Sequence, residues 1–210
     1  MNMIKRQVFL TGEHEVNILI PEKTCCGITA TDNRGYYYLL SNGTGYSFFT
    51  DVFALAASLG KDELIYIPLE FMSADSYKNV FPGENHYQGL VIFNYITTKV
   101  KSKDIVGALK TKIFKEERLI RQTYYSEDYP NHWETRRRLT VKKIGKLLIL
   151  SGEKLVFTSM AHDCAKLSEY GDNAKYNKYP PHMHYDEDEN TAKSVGITFY
   201  YWHNGGNDNQ

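Results

Sequence analysis

The sequence predicts an α+β fold: an antiparallel-rich sheet with one well-buried helix, a second short helix and a C-terminal β-meander. Strand-like runs outnumber helical patterns, and most neighbouring runs are joined by short turns. Only residues 47–60 and 102–112 show the spacing of a longer helix with one apolar face. Consecutive strands with few helices are typical of α+β proteins.

The stretch from residue 36 to residue 70 predicts a strand, a Gly-rich turn, the buried helix and a second strand. Its first five residues, three Tyr and two Leu, suit a pleated surface. Ser47 is a candidate N-cap, and Gly60 suits the end of the helix. The apolar face is expected to pack on a sheet that includes residues 89–97. That face comprises Phe48, Val52, Leu55 and Leu59.

Strand-like runs on both sides of this stretch complete the expected sheet. Residues 8–20 predict a hairpin, and residues 27–40 predict a second hairpin across a turn that ends in Gly35. The expected meander runs through residues 136–143, 147–150 and 154–158. A last strand is expected over residues 194–203. The sequence shows no internal repeat.

Length and composition favour one soluble domain. The chain has 210 residues, of which 42% are hydrophobic and 24% are charged. We expect a single domain over 1–204, with a weak subdivision near 99–103 and a tail at 205–210. The first ten residues are too short for a signal-peptide apolar region, and no run suits a membrane helix. Three cysteines, two of them adjacent, favour a reduced cytoplasmic protein.

Tyrosine is unusually abundant, with 17 Tyr among the 29 aromatic residues. Tyr, Trp and Arg dominate binding hot spots, so loops rich in them predict contact with a macromolecule. The same residues also suit half-buried sheet positions. Our leading hypothesis is a binding protein of the inhibitor, immunity or adaptor type, with a protein partner. The predicted contact residues are Tyr124, Tyr125, Tyr129, Trp133, Arg136, Arg138, Lys142, Tyr176, Tyr179 and Tyr185.

Charge is segregated along a chain whose net charge is zero. Residues 99–146 hold 14 Lys or Arg against 6 Asp or Glu, so this segment is +8 and the remainder is −8. Residues 186–189 form the densest acidic run. A basic segment with nearby aromatic residues suits a nucleic-acid-binding module, by phosphate contacts and base stacking. An acidic protein partner, or a solvated strand face, also fits.

A histidine-rich stretch suggests a metal site. His182, His184 and Asp186 alternate, so an extended segment points all three side chains the same way. Imidazole and carboxylate groups bind zinc and other divalent ions. With His162, Cys164 and His203 as further candidates, the alternative function is a metal-dependent hydrolase acting on phosphodiesters. A polar loop that holds these residues by chance is the competing interpretation, and no other cofactor is expected.

The turn before the first helix is a weaker candidate site. Glycines at a helix N-terminus can bind an anion through unpaired N–H groups, which here implicates Gly43, Gly45 and Ser47. A plain strand-to-helix turn fits equally. No nucleophile stands out. His132, Glu134 and Arg136 could form an acid–base set on an extended segment. The catalytic residues, if there are any, are not identified by the sequence.

Overall fold

Twelve strands and three helices make up the part of the chain that the computed structural model describes. That part comprises residues 1–10, 14–24, 27–33, 35–69, 85–98, 100–123, 139–170, 181–185 and 196–202. The helices are α1 (Gly43–Ala56), α2 (Ser102–Lys110) and α3 (Lys154–Glu169). The strands are β1 (Asn2–Phe9), β2 (Glu15–Pro21), β3 (Thr29–Asn33), β4 (Tyr36–Ser41), β5 (Glu63–Pro68), β6 (Asn85–His86), β7 (Gly89–Asn94), β8 (Lys115–Ile120), β9 (Leu139–Ile144), β10 (Leu147–Gly152), β11 (His182–Tyr185) and β12 (Ile197–Tyr201).

The strands form two sheets, both of them mixed. Sheet A has the order β8-β1-β2-β5-β7-β10-β9, and sheet B has the order β11-β12-β4-β3-β6. Parallel pairing joins β2 to β5, β7 to β10 and β4 to β12. The prediction of an α+β protein is confirmed in part, because the described residues form both helices and sheets. The prediction of one antiparallel-rich sheet is corrected, because sequence-distant strands meet in parallel at the centre of both sheets.

Helices cover sheet A on both faces. On one face, Val16, Ile18 and Val91 pack with Ile105 and Ala108 of α2. On the other face, apolar side chains of sheet A share a larger core with α1, α3 and the inner face of sheet B. Helices α1 and α3 therefore lie between the two sheets, which explains why each has at least eight buried residues.

Helix α1 is the buried helix that the sequence predicts, but it begins four residues earlier than predicted. Asn42, not Ser47, is its N-cap, and the Asn42 side chain accepts a hydrogen bond from the Gly45 N–H. Val52, Leu55 and Leu59 are buried as expected, whereas Phe48 is only partly buried. The second predicted helix is α2, which ends two residues earlier than expected.

The predicted C-terminal meander is corrected at its third strand. Strands β9 and β10 form an antiparallel hairpin, with Ile144 opposite Leu147. Residues 154–158, however, form the first turn and a half of α3. Val156, Phe157, Met160, Cys164 and Leu167 are all buried at helical spacing. This longer period outweighs the strand propensity of the short apolar run.

Two segments of the chain share the same order of elements. Unit 1 contains β3, β4, α1, β5 and β7, with the short β6 before its last strand; unit 2 contains β9, β10, α3, β11 and β12. Each unit has an antiparallel hairpin, a helix and a second antiparallel pair. The strand before each helix pairs in parallel with the last strand of the other unit, so β4 meets β12 and β10 meets β7.

The correspondence between the units extends to single residues. The N-caps Asn42 and Glu153 lie 111 positions apart, as do the first residues of α1 and α3. At the same interval Asp32 corresponds to Lys143, and these two side chains form an ion pair at 3.2 Å. Contact between equivalent residues places this pair near an approximate two-fold axis. The single domain expected over residues 1–204, with a weak subdivision near 99–103, stays a prediction.

Candidate functional site

The outer face of sheet B gathers aromatic and imidazole side chains that are exposed or partly buried. Alternation along β4 sends Tyr37 and Leu39 into the core and turns Tyr36 and Tyr38 outward. On β11 and β12 the same alternation buries Tyr185 and Phe199 and turns the partly buried Met183 toward the same core. We call the outward set the Tyr/His face; it comprises Tyr36, Tyr38, His182, His184 and Tyr200.

Strand register brings the members of the Tyr/His face together. His182 lies opposite Tyr200 across β11 and β12, and their rings stack with centroids 5.4 Å apart. The His182 and His184 rings meet edge to face at 4.8 Å. His184 Nδ1 lies 3.0 Å from Thr198 Oγ1, and Thr198 is in register with Tyr38. Register thus places the five residues on one face of three neighbouring strands, and direct ring contacts join His182 to His184 and Tyr200.

The Tyr/His face is polar and aromatic without formal charge from its tyrosines. Burial raises the pKa of Tyr38, and the neighbouring Tyr36 raises it further. Burial and the adjacent Tyr38 likewise raise the pKa of Tyr200. These hydroxyls therefore stay protonated at neutral pH and can donate hydrogen bonds. Strands β4, β11 and β12 contain no Lys, Arg, Asp or Glu.

A buried hydrogen bond fixes β11 beneath this face. The Tyr185 hydroxyl donates to Asp163 of α3, and both residues are almost fully buried. Burial, and then the adjacent Asp163, raise the pKa of Tyr185. Lys166 Nζ lies 4.0 Å from the other oxygen of Asp163. Because β11 has only four residues, this link to α3 helps to orient His182 and His184 on its opposite side.

A second polar cluster surrounds Asp32, near the approximate two-fold axis. Asp32 is 3% exposed and accepts hydrogen bonds from Asn85 Nδ2 at 2.8 Å and from the Tyr87 hydroxyl at 2.6 Å. Lys143 Nζ completes the cluster at 3.2 Å. Burial by itself raises the pKa of Asp32, but these three partners outweigh it and lower the pKa below its ordinary value. The same carboxylate raises the pKa of Tyr87, after burial.

A groove of about 300 Å³ opens beside the Asp32 cluster. Its walls include His86, Lys143 and Lys146. Both oxygens of Asp32 are occupied by partners, and the raised pKa of Tyr87 keeps its proton bound. The cluster therefore serves to hold β3, β6 and β9 together rather than to exchange protons.

The structure separates the predicted metal ligands into two groups. His182 and His184 lie side by side on the exposed face of β11. Cys164 points into the core on the other side of sheet B, and His162 is buried on α3. Within the described residues, no group of three or more His, Cys, Asp or Glu is arranged to hold a metal ion. Asp186 and His203 lie outside the described residues, so a site that includes them stays a prediction.

The two glycines in the first turn of α1 have a packing explanation. A Cβ on Gly45 would lie 1.7 Å from Ser41 Oγ, and one on Gly43 would lie 3.0 Å from the Ser168 carbonyl oxygen of α3. Asn42 already accepts from the Gly45 N–H, and Ser47 is an exposed residue inside the helix. These contacts account for both glycines as a close junction between α1, β4 and α3. Anion binding here stays a prediction.

Most of the predicted contact residues lie outside the described part of the chain. Of the described ones, Lys142 is exposed on β9, opposite the inward Leu139 and Val141, whereas Tyr185 is buried against α3. The sequence analysis did not single out Tyr36, Tyr38 or Tyr200. These three residues could have been found from one pattern. Aromatic residues at successive positions of a strand must alternate between its two faces, so some of them lie on the outer face. The remaining predicted residues lie outside the described part: Tyr124, Tyr125, Tyr129, Trp133, Arg136, Arg138, Tyr176 and Tyr179. His132 and Glu134 also lie outside it.

Comparison with known proteins adds no relative. No protein-family model, no curated protein and no solved structure matches this chain. Among the described helices, none is both long enough and apolar enough to cross a membrane.

Proposed function

We propose that this chain is a binding protein of the inhibitor, immunity or adaptor type, and that the Tyr/His face is its docking surface for a protein partner. One observation carries the proposal: five aromatic or imidazole side chains share one face of three strands, with His182 in ring contact with His184 and Tyr200 and with Tyr38 near Tyr36 and Tyr200, while α1 and α3 pack on the opposite side of the sheet. Tyr36, for example, is 56% exposed to solvent. Tyrosines held by a sheet offer large contact area with little loss of conformational entropy.

A protein partner fits this face better than nucleic acid does. Binding to a phosphate backbone depends on Lys and Arg, and the strands that bear the Tyr/His face contain neither. Hydroxyls and imidazoles instead match the mixture of apolar and hydrogen-bonding groups found at protein interfaces. Such a protein would act by covering its partner's surface, without a chemical step.

Paired variants test this proposal by affinity capture. We expect the double variant Tyr36→Ser/His182→Ser to capture at least tenfold less partner than wild type does from a lysate of its source. The reason is that the substitutions remove two rings from the surface. Tyr95→Ser is the matched control, since Tyr95 is an exposed tyrosine beyond the end of β7. Equal capture by the double variant and wild type would contradict the proposal.

Nucleic-acid binding is a second candidate, supported by the exposed lysines around the β9–β10 turn. Lys142 and Lys146 are exposed, and Lys146 lines the groove with His86. They belong to the +8 segment of residues 99–146. Fluorescence anisotropy with a random single-stranded oligonucleotide tests this candidate. Binding that weakens with salt and is lost in Lys142→Glu/Lys146→Glu would favour it over the protein-partner proposal.

Metal-dependent hydrolysis is a third candidate, supported by the adjacent rings of His182 and His184. Two imidazoles at alternate positions of a strand can supply two ligands to zinc, and Asp186 follows at the next alternate position. Elemental analysis of protein purified without added metal, with a melting curve in chelator, tests it. Bound metal that His182→Ala removes would support it, and metal-free protein with unchanged melting would contradict it.

A further inference from the structure

Among the described strands, β8 is paired along one side only, by β1. β8 is the outermost strand of sheet A among the described strands. Met1 and Arg121 exchange both backbone hydrogen bonds, at 2.7 and 2.9 Å. In an antiparallel pair, every second residue directs its backbone groups to the neighbouring strand. Counting back from Arg121, the N–H and C=O groups of Lys115, Glu117 and Leu119 point toward β1. The same groups of Glu116, Arg118 and Ile120 point away from the sheet, as the template for a further strand.

The side chains along this edge are charged in the middle and apolar at the ends. Glu116, Arg118 and Ile120 share one face of the strand, because their positions alternate. Ile120 is 77% exposed, and Phe114 at the other end is 70% exposed. Exposed apolar side chains at an open sheet edge favour pairing with another strand, whereas the central charges restrict which strand can pair.

We propose that β8 pairs antiparallel with β8 of a second copy of this chain, around a two-fold axis at Glu117. In that register Glu116 lies opposite Arg118 of the second copy, and Arg118 lies opposite Glu116. The outward backbone groups of both residues then form a hydrogen-bonded pair. Ile120 reaches the end of the strand where Phe114 of the second copy lies. Each contact therefore occurs twice, once on either side of the axis, as a two-fold interface requires.

The axis position is compatible with the charges already present. Two Glu117 side chains would face each other across the axis, on the other face of the strand. Each is paired within its own copy, with Lys115 Nζ at 2.8 Å and Lys5 Nζ at 3.6 Å. Glu116 accepts from Arg6 through one oxygen and keeps the other for the second copy. Arg118 Nε already pairs with Glu22 at 3.1 Å, and the remaining guanidinium N–H groups of Arg118 are the donors for Glu116 of the second copy. Opposite charges directly across an antiparallel pair stabilise it.

Charge-reversal variants that pair only with each other test the register. Sedimentation velocity of the full chain over a concentration series measures the dimer fraction. Glu116→Arg alone sets Arg opposite Arg twice, and Arg118→Glu alone sets Glu opposite Glu twice, so each should weaken dimerisation at least tenfold. An equimolar mixture restores both opposite-charge pairs and should recover a heterodimer. Lys112→Glu, an exposed reversal just before β8, is the control, and far-UV circular dichroism confirms that each variant is folded.

Each outcome decides the proposal. A wild-type dimer, weakened in both single variants and recovered in their mixture, supports it. A wild-type chain that stays monomeric at every concentration overturns it. A dimer that neither reversal weakens, or that the mixture fails to recover, overturns it as well. Ile120→Asp provides a second measurement that leaves the charges of Glu116 and Arg118 intact, and it too should lower the dimer fraction.

Discussion

A single buried carboxylate connects the two sheets. Asp32 of sheet B accepts from Asn85 and Tyr87 and pairs with Lys143 of sheet A. Burial of an ionised carboxylate is costly unless each oxygen has a partner. Here Oδ1 is bonded to Asn85, while Oδ2 is bonded to Tyr87 and Lys143. The partners outweigh burial, so the ionised form is the one that the fold stabilises.

Asp32 should therefore make stability depend on acid pH. Its pKa in the folded protein lies below the ordinary value of 3.8, so its contribution is complete above that value and is lost as pH falls further. We expect Asp32→Asn to lower the free energy of unfolding by about 1–3 kcal/mol at neutral pH, through weakened hydrogen bonds. Urea unfolding at a series of pH values should show this difference shrinking below pH 3.8.

The control for Asp32→Asn is Glu169→Gln, which changes an exposed carboxylate at the C-terminal end of α3. A difference between wild type and Asp32→Asn that stays constant as pH falls would contradict the assignment of Asp32 as a stabilising carboxylate.

At the scale of elements, the start of α1 depends on close approach rather than on ligand binding. A Cβ on Gly45 would collide with Ser41 Oγ and lie 3.1 Å from Ile28 Cγ1. Ser41 is itself fully buried, so the collision cannot be relieved by turning its side chain into solvent. Gly107 of α2 is the opposite case, because nothing lies within 4 Å of its Cβ position.

Two glycine-to-alanine variants should consequently have opposite effects. Gly45→Ala should destabilise the fold by about 1–3 kcal/mol, as overpacking does in a tight core. Gly107→Ala should stabilise it by about 0.5–1 kcal/mol, since alanine restricts the unfolded chain and suits a helix interior. Thermal melting of both variants beside wild type measures the difference. A Gly45→Ala protein that melts at or above the wild-type temperature would exclude the close junction at α1.

Local patterns predicted some elements well and others poorly. Strand β4, helix α1 and strand β7 followed from apolar runs, helical spacing and turn glycines that act over a few residues. The N-terminal part of α3 was expected as a strand, because Leu155, Val156, Phe157 and Thr158 favour strands when they are taken alone. The helical period becomes visible only when Met160, Cys164 and Leu167 are included.

The arrangement of the whole molecule could not be predicted from such patterns. β4 pairs with β12 across about 160 positions of the chain, and the two units exchange their last strands. Equivalent positions of the units hold different side chains, Asp32 and Lys143 among them, so no sequence repeat reveals the two-fold relationship. Long-range parallel pairing is decided by packing of the complete core and leaves no local signature.

The exposed side of the Tyr/His face also depends on long-range packing. Tyr36, Tyr37 and Tyr38 have identical chemistry, and alternation alone states only that Tyr37 faces away from the other two. Which side is outward depends on α1 and α3 lying between the sheets. The sequence analysis did pair His182 with His184 on one side of a strand, because that conclusion needs only the two-residue period.

The most direct test of the Tyr/His face is site-specific photo-crosslinking. A benzophenone amino acid replaces Tyr36 in one protein and Tyr95 in a second, and both are irradiated in a lysate of the source. Our account predicts one dominant protein adduct from position 36 and none from position 95, because only Tyr36 lies on the docking surface. Adducts of equal yield from the two positions, or an adduct from position 95 alone, would contradict it.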